Sequence, residues 1–273
     1  PAAATAAEGT EQAPDTAPRG GGRPEICNRR CSETKGLKLD GFNGPAWPND
    51  KSISLSDWSH RKAGLFAIDT VNPNAWGAGA DYMNRSAADV ILVQEVKLPA
   101  GDPCSSAEQT ARNAKWKLSI EPCLVTAKGG RSAGTAIATR SYIGMSVPKA
   151  VEASQDLHAK GHFGMRRVAA MGKGGVHCGS AYLYSGVGVA AKCNLDLLDT
   201  IAFTISGLVG PWIIGGDWNC TPADLEATGW LKKVGGVVHA PQTATCNGKV
   251  YDFFVVDATI SHNVQGTYMV GDA

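Results

Sequence analysis

The sequence predicts an α/β fold in which buried strands form sheets and helices cover them. Three observations support this prediction. Residues 90–93 and 212–214 are short, uninterrupted apolar runs, which are typical of strands covered on both faces. Segments with helix-capping residues and an apolar face at helical spacing lie between such runs. Several runs end in a carboxylate or a carboxamide, and α/β proteins commonly build ligand sites at strand ends.

Composition sets the outer limits on function. The chain has 273 residues, enough for one large domain or two ordinary ones, and a normal hydrophobic fraction of 43%. The formal net charge of +1 excludes a global basic field, so any surface for nucleic acid must be local. Eight cysteines are too few for a disulfide scaffold at this length. Cys27 and Cys31 form a lone CxxxC that favours free thiols, and we expect a reducing compartment.

The first part of the chain predicts a leader. Residues 1–25 are rich in Ala, Pro and Gly and contain nothing apolar larger than alanine, so they cannot bury enough surface to fold. Residues 26–62 are mixed and polar. We therefore assign residues 1–62 to a disordered or irregular leader or linker and residues 63–273 to the folded domain. Residues 200–216 carry no charge, but they are too short and too often interrupted by Gly and Pro to predict a membrane segment.

Two strands in the first half of the domain end in polar residues. Residues 64–71 predict a strand that stops at Asn72, because Pro73 cannot continue the hydrogen-bonding pattern. Residues 88–98 predict a second strand, whose apolar run is followed at once by Gln94 and Glu95. Glu95 is thus a carboxylate at a strand end, although a solvated loop charge is the commoner explanation for such a residue.

The remaining elements follow from the same patterns. Further strands are predicted at residues 116–125, 133–143, 166–173, 175–185, 248–258 and 264–270. Helices are predicted at residues 77–85 and 105–115, after Asn194 as a cap, and briefly from Pro222. Gly174-Gly175 indicates a hairpin between two of the strands. The glycine-rich turn at residues 128–134 carries Lys128 and Arg131, but it lacks the pattern of a nucleotide-binding P-loop.

The stretch PWIIGGDWN at residues 211–219 is the strongest single candidate for a functional site. Its apolar run suits a buried strand, and Asp217 and Asn219 follow at the strand end. A carboxylate beside a carboxamide suits the orientation of a water and contact with a phosphate. The alternative is a polar loop in which both residues bond only local backbone. Asp252 lies among apolar residues of a later strand, where either a functional role or a single buried ion pair would explain it.

Five segments, in order, carry a resemblance to a known family. They are VILVQEVKL, SAGTAIATR, AYLYSG, WIIGGDWNCTP and VYDFFVV. They resemble the QE strand, the SGGVAI-like central strand, the tyrosine-bearing strand end, the GD-x-N motif and the IDY-F strand of the endonuclease/exonuclease/phosphatase superfamily. The sequence is most similar to the endonuclease domains of non-LTR retrotransposons. Over about residues 64–270, the resemblance implies two packed mixed β-sheets flanked by helices, a four-layer α-β sandwich that is truncated at the C-terminus.

The resemblance implies a metal site. Glu95 would bind a divalent metal, Mg²⁺ or Mn²⁺, with Asn72 beside it. Asn74 falls where some relatives have an aspartate ligand, so it would make a weaker or water-mediated contact. A hard cation of this kind prefers oxygen ligands and keeps several waters, which agrees with a site that has few carboxylates.

The resemblance also implies the catalytic groups. Asp217 would orient and deprotonate the attacking water, while Asn219 and Tyr182 would hydrogen-bond the phosphate. In the family, the residue at Asp252 supports a histidine that lies further along the chain. His262 is too close to Asp252 to be that histidine, so we expect it to be an ordinary loop residue and the family's histidine to lie beyond Ala273. His162 and His177 are interpreted as structural or surface residues.

Together these features predict a metal-dependent phosphodiester hydrolase, most specifically a DNA-nicking endonuclease of a retroelement. Two alternatives remain: a phosphatase or phospholipid phosphodiesterase of the same superfamily, and a catalytically inactive remnant that binds nucleic acid. The expected partners are a DNA substrate and a downstream reverse transcriptase domain of the full-length protein, with no membrane. The expected location is intracellular, the nucleus included.

Overall fold

The structure, a computed structural model, describes residues 34–40, 59–125, 127–153 and 161–270. Of the predicted leader, residues 34–40 and 59–62 are described, and both stretches form regular elements: β1 (Thr34–Asp40) and α1 (Ser59–Lys62). The other leader residues, including Cys27 and Cys31, lie outside the described residues. Within the described residues, no helix combines the length and the apolar character that crossing a membrane requires.

The first sheet has one parallel pair among its strands. Its six strands lie side by side in the order β14 (Val264–Val270), β1, β2 (Leu65–Val71), β3 (Val90–Val93), β7 (Thr135–Arg140) and β4 (Trp116–Glu121). Only β2 and β3 run parallel; the other neighbours are antiparallel. The sequence does not predict β1, which fills the position between β2 and β14.

The second sheet repeats this arrangement. Its six strands lie in the order β12 (Gly236–His239), β13 (Asp252–Asp257), β11 (Trp212–Asp217), β10 (Val176–Tyr182), β9 (Phe163–Ala169) and β8 (Gly144–Ser146). Only β10 and β11 run parallel. The hairpin predicted at Gly174-Gly175 is present as the turn from β9 to β10. A separate two-strand hairpin consists of β5 (Leu124–Val125) and β6 (Arg131–Ser132).

Seven more helices complete the described elements. They are α2 (Trp76–Arg85), α3 (Asp102–Asn113), α4 (Lys149–Ala153), α5 (Lys192–Ser206), α6 (Pro222–Ala227), α7 (Trp230–Val234) and α8 (Ala258–Ser261). Helix α6 begins as predicted, with Pro222 in its first turn and a capping box between Thr221 and Asp224.

Asn194 does not cap α5, contrary to the prediction. The helix begins earlier, after Ala191. The Asn194 side chain is buried and accepts a hydrogen bond from the Tyr184 backbone N–H at 2.8 Å. Its amide donates to the carbonyl oxygens of Tyr184 and Gly188. The residue therefore shapes the loop after β10, a tertiary role that a capping preference cannot reveal.

Three apolar cores separate four layers. Between the sheets, strand residues of both, such as Ile68, Leu92, Ile213 and Phe254, are fully buried against one another. The outer face of the first sheet packs on α2 and α3. The outer face of the second sheet packs on α5, α6 and α7, around Trp230. The fold is therefore the predicted four-layer α-β sandwich, with two mixed sheets flanked by helices.

Gly215 marks a close approach of the two sheets. A Cβ at this position would lie 2.8 Å from Phe254 and 2.9 Å from both Leu92 and Thr70. We expect Gly215→Ala to destabilise the fold by about 1–3 kcal/mol, because the added methyl must displace rigid core side chains. Denaturant unfolding measures this change.

The matched control is Gly77→Ala in α2, where an added Cβ meets nothing within 4 Å. This variant should gain up to about 1 kcal/mol from helix propensity. If Gly215→Ala unfolds at the same denaturant concentration as the wild-type chain, the sheets can separate at this point without strain.

Candidate active site

The topology brings the ends of the two parallel pairs to one place. Asn72 follows β2, and Glu95 lies just beyond β3 in the first sheet. Tyr182 and Asp217 are the last residues of β10 and β11 in the second sheet, and they are register partners. Asp252, the first residue of β13, pairs with Asp217 on its other side. Because the sheets pack face to face, these strand ends lie together.

A hydrogen bond between the sheets joins the two halves of this cluster. Asn72 Nδ2 donates to Asp217 Oδ2 at 2.9 Å and also lies 3.5 Å from Glu95 Oε1. The Asn72 amide therefore bridges two carboxylates that come from different sheets. Its own carbonyl oxygen accepts a hydrogen bond from the Asn74 backbone N–H at 3.0 Å, which fixes the orientation of the amide.

Glu95 sits in a loop held in an unusual conformation. Its φ is 50°, in the left-handed region, and that of Lys97 is 52°. The backbone N–H groups of Val96 and Lys97 donate to the carbonyls of Gly134 and Ala133. These bonds fix the loop against the start of β7.

The surroundings of Glu95 keep its carboxylate charged. Lys97 Nζ lies 2.9 Å from Glu95 Oε2, and the Tyr182 hydroxyl donates a hydrogen bond to the same carboxylate. Burial alone would raise the pKa of Glu95, but the hydrogen bonds from Tyr182, Lys97 and Asn72, with the Lys97 charge, hold it below its ordinary value.

Asp217 is in the opposite situation. Burial, and next the negative charge of Asp252, raise the pKa of Asp217 from 3.8 to about 7, although hydrogen bonds from Asn72 and the Asn219 backbone oppose the change. A carboxylate that gains a proton near neutral pH can act as a general base there. Glu95 and Asp217 are thus tuned to different protonation states.

Trp218 fixes the turn that carries Asp217 and Asn219. Its side chain is fully buried, its indole N–H donates to the Phe253 carbonyl at 2.9 Å, and its backbone N–H donates to the Tyr251 carbonyl. The turn is completed by Asn219, whose φ is 46°. Asn219 Nδ2 donates to the Leu183 carbonyl at 2.8 Å, which holds its amide beside the end of β10.

Asn74 lies at the outer rim of the cluster. It has a φ of 62° and is exposed, and its side-chain oxygen accepts a hydrogen bond from the Lys97 ammonium. Lys97 therefore lies between Asn74 and Glu95. The sequence does not single out Lys97, because one lysine in a polar loop gives no signal of its own.

Gln94 supports the cluster from below. It is fully buried, and its amide donates to Ser180 Oγ at 2.9 Å in the second sheet. Ser180 in turn donates to the Val93 carbonyl. The sequence analysis notes Gln94 only as part of the QE motif. Its position directly after a buried apolar strand is nevertheless a signal, because a buried polar side chain needs a hydrogen-bond partner.

The three histidines considered in the sequence lie at two ends of the described domain. His262 ends α8, which follows the end of β13 opposite Asp252, and His177 lies near the start of β10, opposite Tyr182. His162, which the sequence does not place in the site, precedes β9 and stacks on Tyr182, with ring centroids 5.4 Å apart.

The donor set suits a hard divalent cation. Glu95 and Asp217 offer carboxylate oxygen atoms, whereas the Asn72 oxygen is turned towards the Asn74 N–H. The charged Glu95 already has one cation, the Lys97 ammonium, as a neighbour. Among the described residues there is no group of three or more His, Cys, Asp or Glu side chains that could hold a metal. Glu95 and Asp217 are thus the carboxylates that an ion such as Mg²⁺, which binds one or two carboxylates and retains water, would find here.

Comparison with known proteins gives one family match. A family model described as the Endonuclease/Exonuclease/phosphatase family matches residues 72–258, more than half of the chain. No curated protein sequence matches the chain.

Three solved structures show distant likenesses. The AP endonuclease LMAP from Leishmania major is 14% identical, with a TM-score of 0.48, over 71% of this chain and 79% of that chain. An endonuclease/exonuclease/phosphatase family protein from Leptotrichia buccalis is 13% identical, with a TM-score of 0.47, over 70% and 86%. The Xenopus laevis APE2 catalytic domain is 14% identical, with a TM-score of 0.44, over 72% and 83%. The family match, and not these likenesses, carries the assignment.

The raised pKa of Asp217 predicts how stability depends on pH. The folded chain holds this proton up to a pH of about 7, whereas the unfolded chain releases it near 3.8. Ionisation of Asp217 therefore lowers the stability of the metal-free protein as the pH rises from about 4 to about 7. Asp217→Asn, which cannot ionise, should melt above the wild type at pH 8, by an amount on the order of a few kcal/mol in unfolding free energy.

At pH 5 the same variant should show a smaller gain, because the wild-type carboxyl is then ionised only in the unfolded chain, and below about pH 4 the gain should disappear. Asp81→Asn, at an exposed position of α2, is the control and should leave the melting curve unchanged at both pH values. If the stability of the wild type and that of Asp217→Asn change with pH in the same way, the Asp217 carboxyl is not the group that causes the pH dependence.

Proposed function

The chain belongs to the Endonuclease/Exonuclease/phosphatase family, and on that premise we propose that it is a divalent-metal-dependent phosphodiester hydrolase that nicks DNA. The observation that carries the proposal is the 2.9 Å hydrogen bond from Asn72 to Asp217. It holds a carboxylate with a pKa near 7 beside a second carboxylate, Glu95, that stays charged. Members of this family are hydrolases of phosphate esters, and these two groups divide the work that such a hydrolysis requires.

Asp217 is proposed to act on the water. Its pKa of about 7 lets it orient an attacking water and accept a proton at neutral pH. The Asn72 amide and the Asn219 backbone N–H each donate to one of its oxygens, so the carboxylate keeps one orientation during this transfer.

Asn219 and Tyr182 are proposed to bind the phosphate. Both are neutral groups, so they can approach a phosphate without the repulsion that more carboxylates would exert. Asn219 has a second amide hydrogen besides the one on the Leu183 carbonyl, whereas Tyr182 would have to move its single hydroxyl hydrogen from Glu95 to the phosphate. Glu95 would hold the metal, with Asn72 beside it and Asn74 at the rim. To contribute oxygen donors, the Asn72 amide would have to turn and the Asn74 oxygen would have to release Lys97. When bound, Mg²⁺ or Mn²⁺ supplies positive charge that stabilises the phosphate as it reacts.

A local basic surface supports nucleic acid as the substrate. The hairpin of β5 and β6 is exposed and carries Lys128 and Arg131. It leads into Ala133 and Gly134, whose carbonyls hold the Glu95 loop, so the hairpin is directly connected to the site. A long polyanion can contact both places at once, whereas a small phosphate ester cannot.

The retroelement role belongs to the same proposal. It is supported by the order of the five motifs and by their resemblance to non-LTR retrotransposon endonucleases. In that case the natural partner is a downstream reverse transcriptase domain and the protein works where genomic DNA lies. Extension of the natural reading frame beyond Ala273 tests this directly.

Substrate class is tested by one assay. Supercoiled plasmid, an abasic duplex, inositol phosphates and phospholipid vesicles are each incubated with the chain, with Mg²⁺, with Mn²⁺, or with EDTA. We expect metal-dependent but weak conversion of supercoiled to open-circular plasmid, because His262 is not expected to serve as the family's catalytic histidine. Release of phosphate from the inositol phosphates, or hydrolysis of the lipid, without plasmid nicking would replace the proposal by the corresponding alternative. Binding of plasmid without hydrolysis of any substrate would indicate an inactive nucleic-acid-binding protein.

Glu95→Gln tests the metal site. The substitution removes the charge and keeps the shape, so we expect cleavage to fall by at least about 100-fold, since even outer-shell partners of metals contribute 10–100-fold. Calorimetric titration with Mn²⁺ should show the loss of binding directly. Glu108→Gln on exposed α3 is the control, and it should behave as the wild type in both measurements. Wild-type Mn²⁺ affinity in Glu95→Gln would remove Glu95 from the site.

The pH profile of cleavage tests the base. Activity should rise with pH through about 7 as Asp217 loses its proton. Because the charge of Asp252 helps to raise the pKa of Asp217, Asp252→Asn should move this rise to lower pH, whatever it does to the maximal rate. If the rise in activity stays at the same pH in Asp252→Asn, the group that titrates is not Asp217.

A further inference from the structure

His162 makes three different contacts with Tyr182. Its backbone carbonyl accepts a hydrogen bond from the Tyr182 N–H at 2.8 Å. Its ring Nδ1 lies 2.7 Å from the Tyr182 carbonyl oxygen. Its ring also stacks on the Tyr182 ring at an angle of 10°, and on Tyr184 with centroids 4.0 Å apart. One residue thus holds both backbone polar groups of Tyr182 and one face of its ring.

The tautomer of His162 follows from these contacts. A carbonyl oxygen can only accept, so Nδ1 must carry the proton. Burial lowers the pKa of His162, although the Tyr182 hydrogen bond and the charge of Glu95 oppose the change, so the ring is neutral and Nε2 carries a lone pair. Nε2 is buried, and none of the described residues hydrogen-bonds it. A phenylalanine would stack as well without this unsatisfied atom, so the Nδ1 hydrogen bond is what distinguishes histidine here.

His162 is itself fixed from the other side of the site. Gly161 has a φ of +79°, and a Cβ there would lie 2.4 Å from the Pro122 carbonyl oxygen, so the backbone approaches more closely than other residues allow. The Gly161 carbonyl accepts from Gly134 N–H at 3.1 Å. The Gly134 carbonyl accepts from Val96, next to Glu95. The contacts therefore form a closed path from Glu95 through His162 to Tyr182, whose hydroxyl returns to Glu95.

We propose that His162 is a positioning residue of the site, which holds the Tyr182 hydroxyl on Glu95 through its Nδ1 hydrogen bond and its stacked ring. This proposal rests on the proposed function in one respect: the positioning of Tyr182 affects kcat only if Tyr182 takes part in hydrolysis. His162 need not touch the substrate. Its effect on catalysis passes entirely through Tyr182.

A double-mutant cycle tests this claim. His162→Ala should lower kcat by about 10- to 100-fold, with KM changed less than about twofold, because displacement of a positioned group mainly affects the reacting state. In the Tyr182→Phe background the same substitution should change kcat by less than about twofold, since the hydroxyl to be positioned is already gone. His162→Asn, whose amide can replace the Nδ1 donor, should recover part of the loss, whereas His162→Phe should not.

His177→Ala is the matched control. His177 is also buried on the second sheet and its ring bonds a backbone carbonyl, that of Val209, at the other end of β10. This variant should lose stability in a melting experiment and keep its kcat. Equal losses of kcat for His162→Ala in both Tyr182 backgrounds would overturn the proposal, because His162 would then act on its own. An unchanged kcat in wild-type background would overturn it as well.

Nitrogen-15 NMR of the wild-type chain separates this proposal from the proposed function. The histidine signals should show a neutral His162 with its proton on Nδ1, and the opposite tautomer would overturn the proposal whatever the activity. If the chain hydrolyses no phosphodiester, the proposed function fails. The carbon-13 signals of the tyrosines then test the positioning role of His162 without any activity measurement. His162→Asn should then leave the Tyr182 ring signals nearer to wild type than His162→Phe does, and the reverse order would overturn the positioning role.

Discussion

The hydrogen bond between Asn72 and Asp217 depends on the packing of one sheet on the other, and the rest of the site depends on that bond. The first sheet brings Glu95 to this edge and the second brings Asp217 with Asp252, so neither sheet alone holds both Glu95 and Asp217. The apolar contacts of Ile68, Leu92, Ile213 and Phe254 set the distance between the sheets, and the buried Gln94–Ser180 hydrogen bond fixes their relative position just below the site. The geometry of the chemistry is therefore set by the core and not by flexible loops.

The same packing explains how two similar side chains acquire different properties. Glu95 has an ammonium, a phenol and an amide around it, and these stabilise its charge. Asp217 has burial and a second aspartate, which oppose its charge. Environments that push two carboxyl pKa values apart are the usual way in which a protein obtains a permanent anion and a proton acceptor from one type of group. Asp252 contributes to this division through its charge, by its register position beside Asp217.

The sequence predicts those elements whose structure is determined by neighbouring residues in the chain. The apolar runs of β3 and β11 are long enough to predict buried strands, and the residues at their ends are therefore predictable as well. The start of α6 follows from the proline at its first position. What depends on distant contacts is not predictable: Asn194 clamps a loop instead of capping a helix, and β1 comes from a polar stretch with no strand pattern. Lys97 and His162 reach the site only because the Glu95 loop and the start of β9 are held to the same segment, around Gly134. No pattern within a short stretch of sequence predicts that these two segments contact the same third segment.

Because the site loops have a left-handed backbone conformation, the residues that would be best for stability there differ from the residues that the site carries. Asn74, Glu95, Lys97 and Asn219 all have φ values between 46° and 62°, and for residues such as glutamate and lysine this conformation is less favourable than for glycine by about 1–2 kcal/mol. Selection for thermal resistance alone would therefore favour glycine at Glu95 and Lys97 and would remove the charges of the site. A lineage that retains both residues under such selection is one in which the charges are still used, whereas a lineage released from that use should drift towards glycine at these positions first.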